Sequence, residues 1–139
     1  MNTQKDWKSL LCKFSMNPPA DPAVIQTAEG ESAISFPSQY REFLEFSNGG
    51  VGLIGSGGYA ALWRVEELCR FNKEYEVDKY ARGLFFFGSN GGGEAFAFDL
   101  RTPQLAIVQV PFIGMSLADA NVVAPTFHEF LAAVAQHRL

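Results

Sequence analysis

The stretch Phe36-Pro37-Ser38-Gln39-Tyr40-Arg41-Glu42-Phe43-Leu44-Glu45-Phe46-Ser47-Asn48-Gly49-Gly50 decides the fold. Pro37 fits the first turn of a helix, where a missing N–H costs no hydrogen bond. Tyr40, Phe43 and Leu44 follow at helical spacing with Phe36 one turn earlier, so one face is apolar. Arg41, Glu42 and Glu45 point the other way. Asn48-Gly49-Gly50 supplies the left-handed stop of such a helix. A short helix with one apolar face needs a sheet to lie on.

The chain after Gly50 supplies that sheet. Val51 to Ile54 and Tyr59 to Trp63 are extended segments around Gly55-Ser56-Gly57-Gly58, which predicts a hairpin. Val65, Leu68, Cys69 and Tyr75 give the next helix its apolar face. Leu84 to Phe87 is wholly apolar and suits a central strand covered on both sides. Ser89 to Gly93 turns the chain, and Ala95 to Leu100 alternates, with Phe96, Phe98 and Leu100 on one face. After the turn at Arg101-Thr102-Pro103, Leu105 to Val110 is another strand, so the middle of the chain predicts an antiparallel meander. Pro111 to Ala120 reads as a loop. Thr126 and Glu129 have the spacing of a capping box for a last helix carrying Phe127, Phe130, Leu131 and Val134.

Before the opening stretch, Trp7, Leu10, Leu11 and Phe14 fall at i, i+3, i+4 and i+7, which predicts an N-terminal helix over 4–16. Asp21-Pro22 starts a second helix through Val24, Ile25 and Ala28, closed by Gly30. The class predicted is α+β. It is a single domain over 1–139, with a central antiparallel sheet of about four to six strands flanked by helices.

With 139 residues, 47% of them apolar and 13 phenylalanines, the chain can bury a real core. A formal charge of −4 argues against direct nucleic-acid binding, which needs a basic footprint. Cys12 and Cys69 read as free, buried thiols in a reducing compartment. No signal peptide and no membrane span are predicted, so the expected location is cytoplasmic.

Four pieces in order resemble one family. They are Phe36-Pro37 with Tyr40, Phe43, Leu44 and Asn48-Gly49-Gly50; Tyr59 and Leu62 with Val65-Glu66-Glu67-Leu68; Phe87 to Leu100 through Gly91-Gly92-Gly93; and Val110-Pro111 with Val123 to Leu131. Together they resemble the SUKH superfamily of Smi/Knr-like domains, over roughly 24–131. The resemblance implies a protein-binding role without catalysis and without a cofactor. Bacterial members are similar to immunity proteins that block toxin domains, many of them nucleases, of polymorphic or contact-dependent systems. Fungal relatives imply regulatory or scaffold roles instead.

Candidate chemistry is thin. Gly55 to Ala60 loosely fits a dinucleotide fingerprint but lacks the following helix, and Ser89 to Gly93 lacks a phosphate loop's lysine. No Cys or His spacing makes a metal site. No Gly-x-Ser-x-Gly elbow supports a hydrolase, and a small ligand-binding enzyme is the reading least supported. His128 reads as a solvent-side residue in the first turn of its helix. Glu94 and Asp99 lie an odd number apart on one strand, so they face opposite sides, although the resemblance offers both as residues of a shared concave surface. The candidate partner-binding residues are the acidic set Glu66, Glu67, Glu74, Glu76 and Asp78, facing a basic partner, together with Tyr59 and Trp63. Pro37, Asn48, Gly49, Gly50, Gly91, Gly92, Gly93, Thr126 and Glu129 are candidate structural positions.

Overall fold

The computed structural model describes residues 7–136. Helix α1 (Pro22–Ser32) and helix α2 (Ser38–Phe46) precede a hairpin of β2 (Gly50–Leu53) and β3 (Tyr59–Leu62). A 3-10 turn (Val65–Glu67) leads into α3 (Leu68–Glu74) and the single turn α4 (Val77–Tyr80). Then come β4 (Leu84–Ser89), β5 (Glu94–Asp99), β6 (Ile107–Pro111), β7 (Asn121–Ala124) and helix α5 (Phe127–Ala135). With β1 (Phe14–Met16), the described residues form one sheet of seven strands in the order β1 to β7, each pair antiparallel.

Seven strands exceed the four to six expected, and the two additions are the edges. The first, β1, overturns the helix predicted over 4–16: Trp7 to Ser9 are helical, Leu10 to Lys13 turn, and Phe14 pairs with Gly52. Residues 4–6 of that helix lie outside the described residues. The i, i+3, i+4, i+7 pattern still marks burial, because Trp7, Leu11 and Phe14 all enter the core. What admits the strand is Gly50, where a Cβ would stand 2.5 Å from the Phe14 ring and 2.6 Å from Ser15 O. The second addition, β7, pairs Val122 with Val108 directly after the segment expected to be a loop, which itself contains a 3-10 turn at Leu117–Asp119.

The central strand behaves as expected. Phe85 and Phe87 of β4 enter the larger core with Phe96 and Phe98 of β5, under Tyr40 and Phe43 of α2 and Phe127 and Phe130 of α5. Leu84 and Phe86 face the other side with Ala95, Ala97, Val108 and Val110, covered by Val77 of α4 and by Ala81 directly after it. Leu100 leaves this pattern: it follows β5, is exposed, and its N–H donates to Gly83 O.

Helix boundaries also shift. Asp21 caps α1, its Oδ1 accepting from Ala23 N–H at 2.8 Å. The helix runs through Gly30 and ends at Ala33, which takes the left-handed conformation (φ 58°). Pro37 stands at the N-cap of α2. Ser47 leaves that helix extended (φ −150°) before Gly49 and Gly50 take positive φ. The helix expected from Val65 to Tyr75 divides into the 3-10 turn and α3, and Glu76, left-handed (φ 55°), separates α3 from the added turn α4. Tyr75 is exposed rather than on the buried face, Cys12 is exposed and Cys69 half-buried, all unlike the expectation.

A candidate protein-binding face

Cross-strand pairs share a sheet face, so Ser15 with Val51, Leu53 with Tyr59, and Val51 with Ala61 stand on the side away from α2 and α5. On that side α4 and the 112–120 segment cover β4 to β6, as judged from Phe112, Met115, Leu117 and Ala120 packing there. They do not cover β1 to β3: Val51 is 46% exposed, Leu53 39% and Tyr59 45%. Gly91 lies against the Tyr59 ring, where a Cβ would come within 2.8 Å of it. Three such apolar side chains side by side on a sheet are the kind of patch that marks an interaction surface.

The patch continues into an aromatic run. Trp63 stacks on Tyr75 (6.0 Å between centroids, planes 7° apart) and meets Phe71 edge-on at 4.9 Å. Tyr75 in turn lies 4.8 Å from Phe112, and Phe112 meets Phe86 edge-on. Trp63 is therefore half-buried and held from two sides, while Tyr59 and Tyr75 offer open rings. Ile113, next to Phe112, is almost fully exposed.

The acidic set does not make a patch of one sign. Arg64, Arg70, Lys73, Lys79 and Arg82 match the five carboxylates in the same segment. Arg70 bridges Glu67 and Glu74 at 3.8 and 3.7 Å, Lys79 stands 3.8 Å from Glu76, and Arg82 stands 3.6 Å from Asp78. All four contacts are exposed and individually weak. Glu74 borders the aromatic run beside Trp63 and Tyr75. Glu76 and Asp78 instead line a separate groove of about 790 Å³ floored by Ile34, Leu84 and Phe85, with Lys73 on its rim. Glu66 accepts a hydrogen bond from Asn48 Nδ2 at 2.7 Å, while Asn48 Oδ1 accepts from Val65 N–H at 2.8 Å.

The family model described as SMI1 / KNR4 family (SUKH-1) matches residues 19–133. The chain belongs to it. No curated protein matches the chain. Strand β1 lies before the matched span of this SUKH-1 domain, so one border of the open face comes from outside it.

The remaining candidates separate. Glu94 and Asp99 occupy opposite ends and opposite faces of β5 in the SUKH-1 sheet, so no carboxylate pair forms. Asp99 is buried, its Oδ1 accepting from Arg101 N–H and Nε (3.0 and 2.9 Å) and its Oδ2 from Nη2 (3.1 Å). Those hydrogen bonds from Arg101 hold the carboxyl below its ordinary range. Glu94 Oε1 lies 3.5 Å from Gln109 Nε2. Asn48 joins the start of β2 to the 3-10 turn, and Asn17 Nδ2 donates to Asn48 O at 2.9 Å. In the glycine turn, Gly92 and Glu94 N–H donate to Asn90 Oδ1, and Gly91 and Gly93 take positive φ. Thr126 Oγ1 accepts from Glu129 N–H at 3.3 Å; the return bond of a capping box is not made.

The sequence reading missed Val51, Leu53 and Phe112 as parts of this face. Val51 and Leu53 carried a readable signal, since they alternate with Gly50 and Gly52; Phe112 sits in an irregular segment and carried none. His128 overturns its expected solvent position: it is buried against Trp7. Among the described residues no group of three or more His, Cys, Asp or Glu could hold a metal ion, and no helix is long and apolar enough to cross a membrane.

Proposed function

We propose that this SUKH-1 domain is a non-catalytic immunity protein that neutralises a cognate toxin domain of a polymorphic or contact-dependent bacterial system by occluding it. The observation that carries the reading is the uncovered sheet face of Val51, Leu53 and Tyr59 beside the Trp63–Tyr75–Phe112 run. Tyr and Trp supply most hot spots of protein interfaces, and here they are pre-ordered by stacking. Glu74 at the border of the run, with Glu66 and Glu67 nearby in the chain, gives a polar rim suited to a basic toxin surface such as a nuclease presents. Binding takes place in the cytoplasm, where the free Cys12 and Cys69 stay reduced. The whole chain acts as one domain.

The test is co-purification from the native host with this chain as bait, followed by co-expression with whatever is recovered. Recovery of a toxin domain whose toxicity the chain suppresses is the expected result. Recovery only of envelope or signalling proteins would replace the immunity reading with a regulatory scaffold.

A further inference from the structure

We propose that His128 is a proton-controlled latch that holds the N-terminal segment, and with it β1, onto the domain. The imidazole is 8% exposed and lies flat on the Trp7 indole, 5.3 Å between centroids and 16° between planes. Trp7 in turn meets Phe43 and Phe46 of α2 edge-on, at 6.3 and 5.6 Å. The backbone of the same turn is fixed to α2, since His128 N–H donates to Gln39 Oε1 at 2.9 Å. The ring is thus the middle layer between the N-terminal segment, α2 and α5.

Its Nε2 is buried without a hydrogen-bond partner. Glu42 Oε1 of α2 lies 3.4 Å away, close enough to attract the ring once it is charged. Two other charges of the described residues border the site. Lys8 of the N-terminal segment stands over Trp7 (5.6 Å) and Phe46 (4.9 Å), and Glu129 of α5 lines the same small depression. A neutral imidazole suits this place, as an apolar ring on an apolar ring. A charged one needs water or a carboxylate partner, which the indole face does not supply and the exposed Glu42 at the ring's edge does. Burial accordingly holds the ring's pKa below its usual 6.5, against the opposing pull of Glu42.

Proton uptake therefore draws the imidazole toward Glu42 and solvent and off the indole. From Trp7 the chain passes through Leu11 and Phe14 into β1, whose Ser15 pairs with Val51. Freeing Trp7 loosens that edge strand; the further step, that acid weakens partner binding, rests on the face proposed above. The latch itself is tested on the protein alone, so its failure is separable from failure of that face.

The experiment uses Trp63→Phe, which leaves Trp7 as the single indole of the chain. Trp7 emission and far-UV circular dichroism are followed from about pH 8 to about pH 5. A red shift with its midpoint below 6.5 and an unchanged dichroism signal is expected, and His128→Phe, which keeps the stack but cannot titrate, should abolish it. Emission that ignores pH, or a transition that persists in His128→Phe, overturns the latch. Should His128→Phe fail to fold, Glu42→Gln on the exposed side of α2 decides. Loss of the attracting carboxylate must move the transition to lower pH, and an unmoved transition overturns the proposal.

Discussion

At the residue scale, side chains that bond to backbone account for more of the architecture than the charged pairs do. Tyr40, like His128, carries a buried polar atom that makes no such bond. Its ring contacts Phe36, Phe87, Phe98 and Phe127, but its hydroxyl is buried without a partner, and burial drives its pKa upward. An unsatisfied buried hydroxyl costs free energy, so Tyr40→Phe should raise stability by about 1 kcal/mol in denaturant unfolding. Asp99 behaves in the opposite sense. Its carboxyl is held below 3.8 by Arg101, so its contribution is complete above 3.8 and is lost as pH falls through the lower folded value. The stability gap between the natural chain and Asp99→Asn should therefore be wide at about pH 7 and close toward about pH 2. Neither residue's role could be read from the sequence. Arg101 was legible only as part of a turn, and the stretch of Phe residues around Tyr40 gave no hint of where its hydroxyl would end.

At the element scale, the parts that the sequence made plain are those with strong periodicity. The opening stretch does form a helix over Ser38–Phe46 that buries Tyr40, Phe43 and Leu44, and the wholly apolar Leu84 to Phe87 does form a strand covered on both faces. The errors fall where periodicity is ambiguous. Trp7 to Phe14 fits a helical stripe, yet the glycines of β2 leave room for a neighbouring strand, and tertiary pairing wins over local pattern. The broken segment from Val65 to Tyr80 is tied to the central strand β4 by hydrogen bonds from Asn72. Asn72 Oδ1 accepts from Phe86 N–H (2.8 Å), while its Nδ2 donates to Phe86 O (2.9 Å) and Leu68 O (2.8 Å), standing in for a strand neighbour beside the register shift of β4. Asn72→Ala leaves a backbone donor and acceptor of β4 unsatisfied and should lower stability by about 2 to 3 kcal/mol, measured by thermal or denaturant unfolding.

At the scale of the whole molecule, the open face can be tested only against a partner. Tyr59→Ala is the cleaner substitution, because Trp63 also props Phe71 and Tyr75. With a partner in hand, Tyr59→Ala should weaken affinity by about 2 kcal/mol, roughly thirtyfold, through faster dissociation, while leaving the unfolding midpoint nearly unchanged. Glu74→Lys, at the border of the same run, should instead slow association by less than about tenfold at low salt, an effect that vanishes as salt is raised. The limited size follows from the five cations that match the five carboxylates. That balance is countable along the chain, and the contacts of Arg70, Lys79 and Arg82 show which carboxylates three of the cations meet. The aromatics were legible as residues of interest, but their assembly into one surface depends on Phe112, which arrives from a distant part of the chain.

The strand order, identical to the order along the chain, also has a kinetic consequence. Each strand joins a partner that is its sequence neighbour, so the sheet can grow stepwise from the tight β4–β5 turn, with the longer closures at β3–β4 and β1–β2. The contact between Gln39 and His128, 89 residues apart, and the Trp7 stack upon it close the longest loop and form last. Substitutions in the β4–β5 hairpin should then slow refolding, whereas those at Trp7 or His128 should leave refolding almost untouched and speed unfolding. The lifetime of the folded chain is thereby set near its ends, and the speed of its formation in its middle.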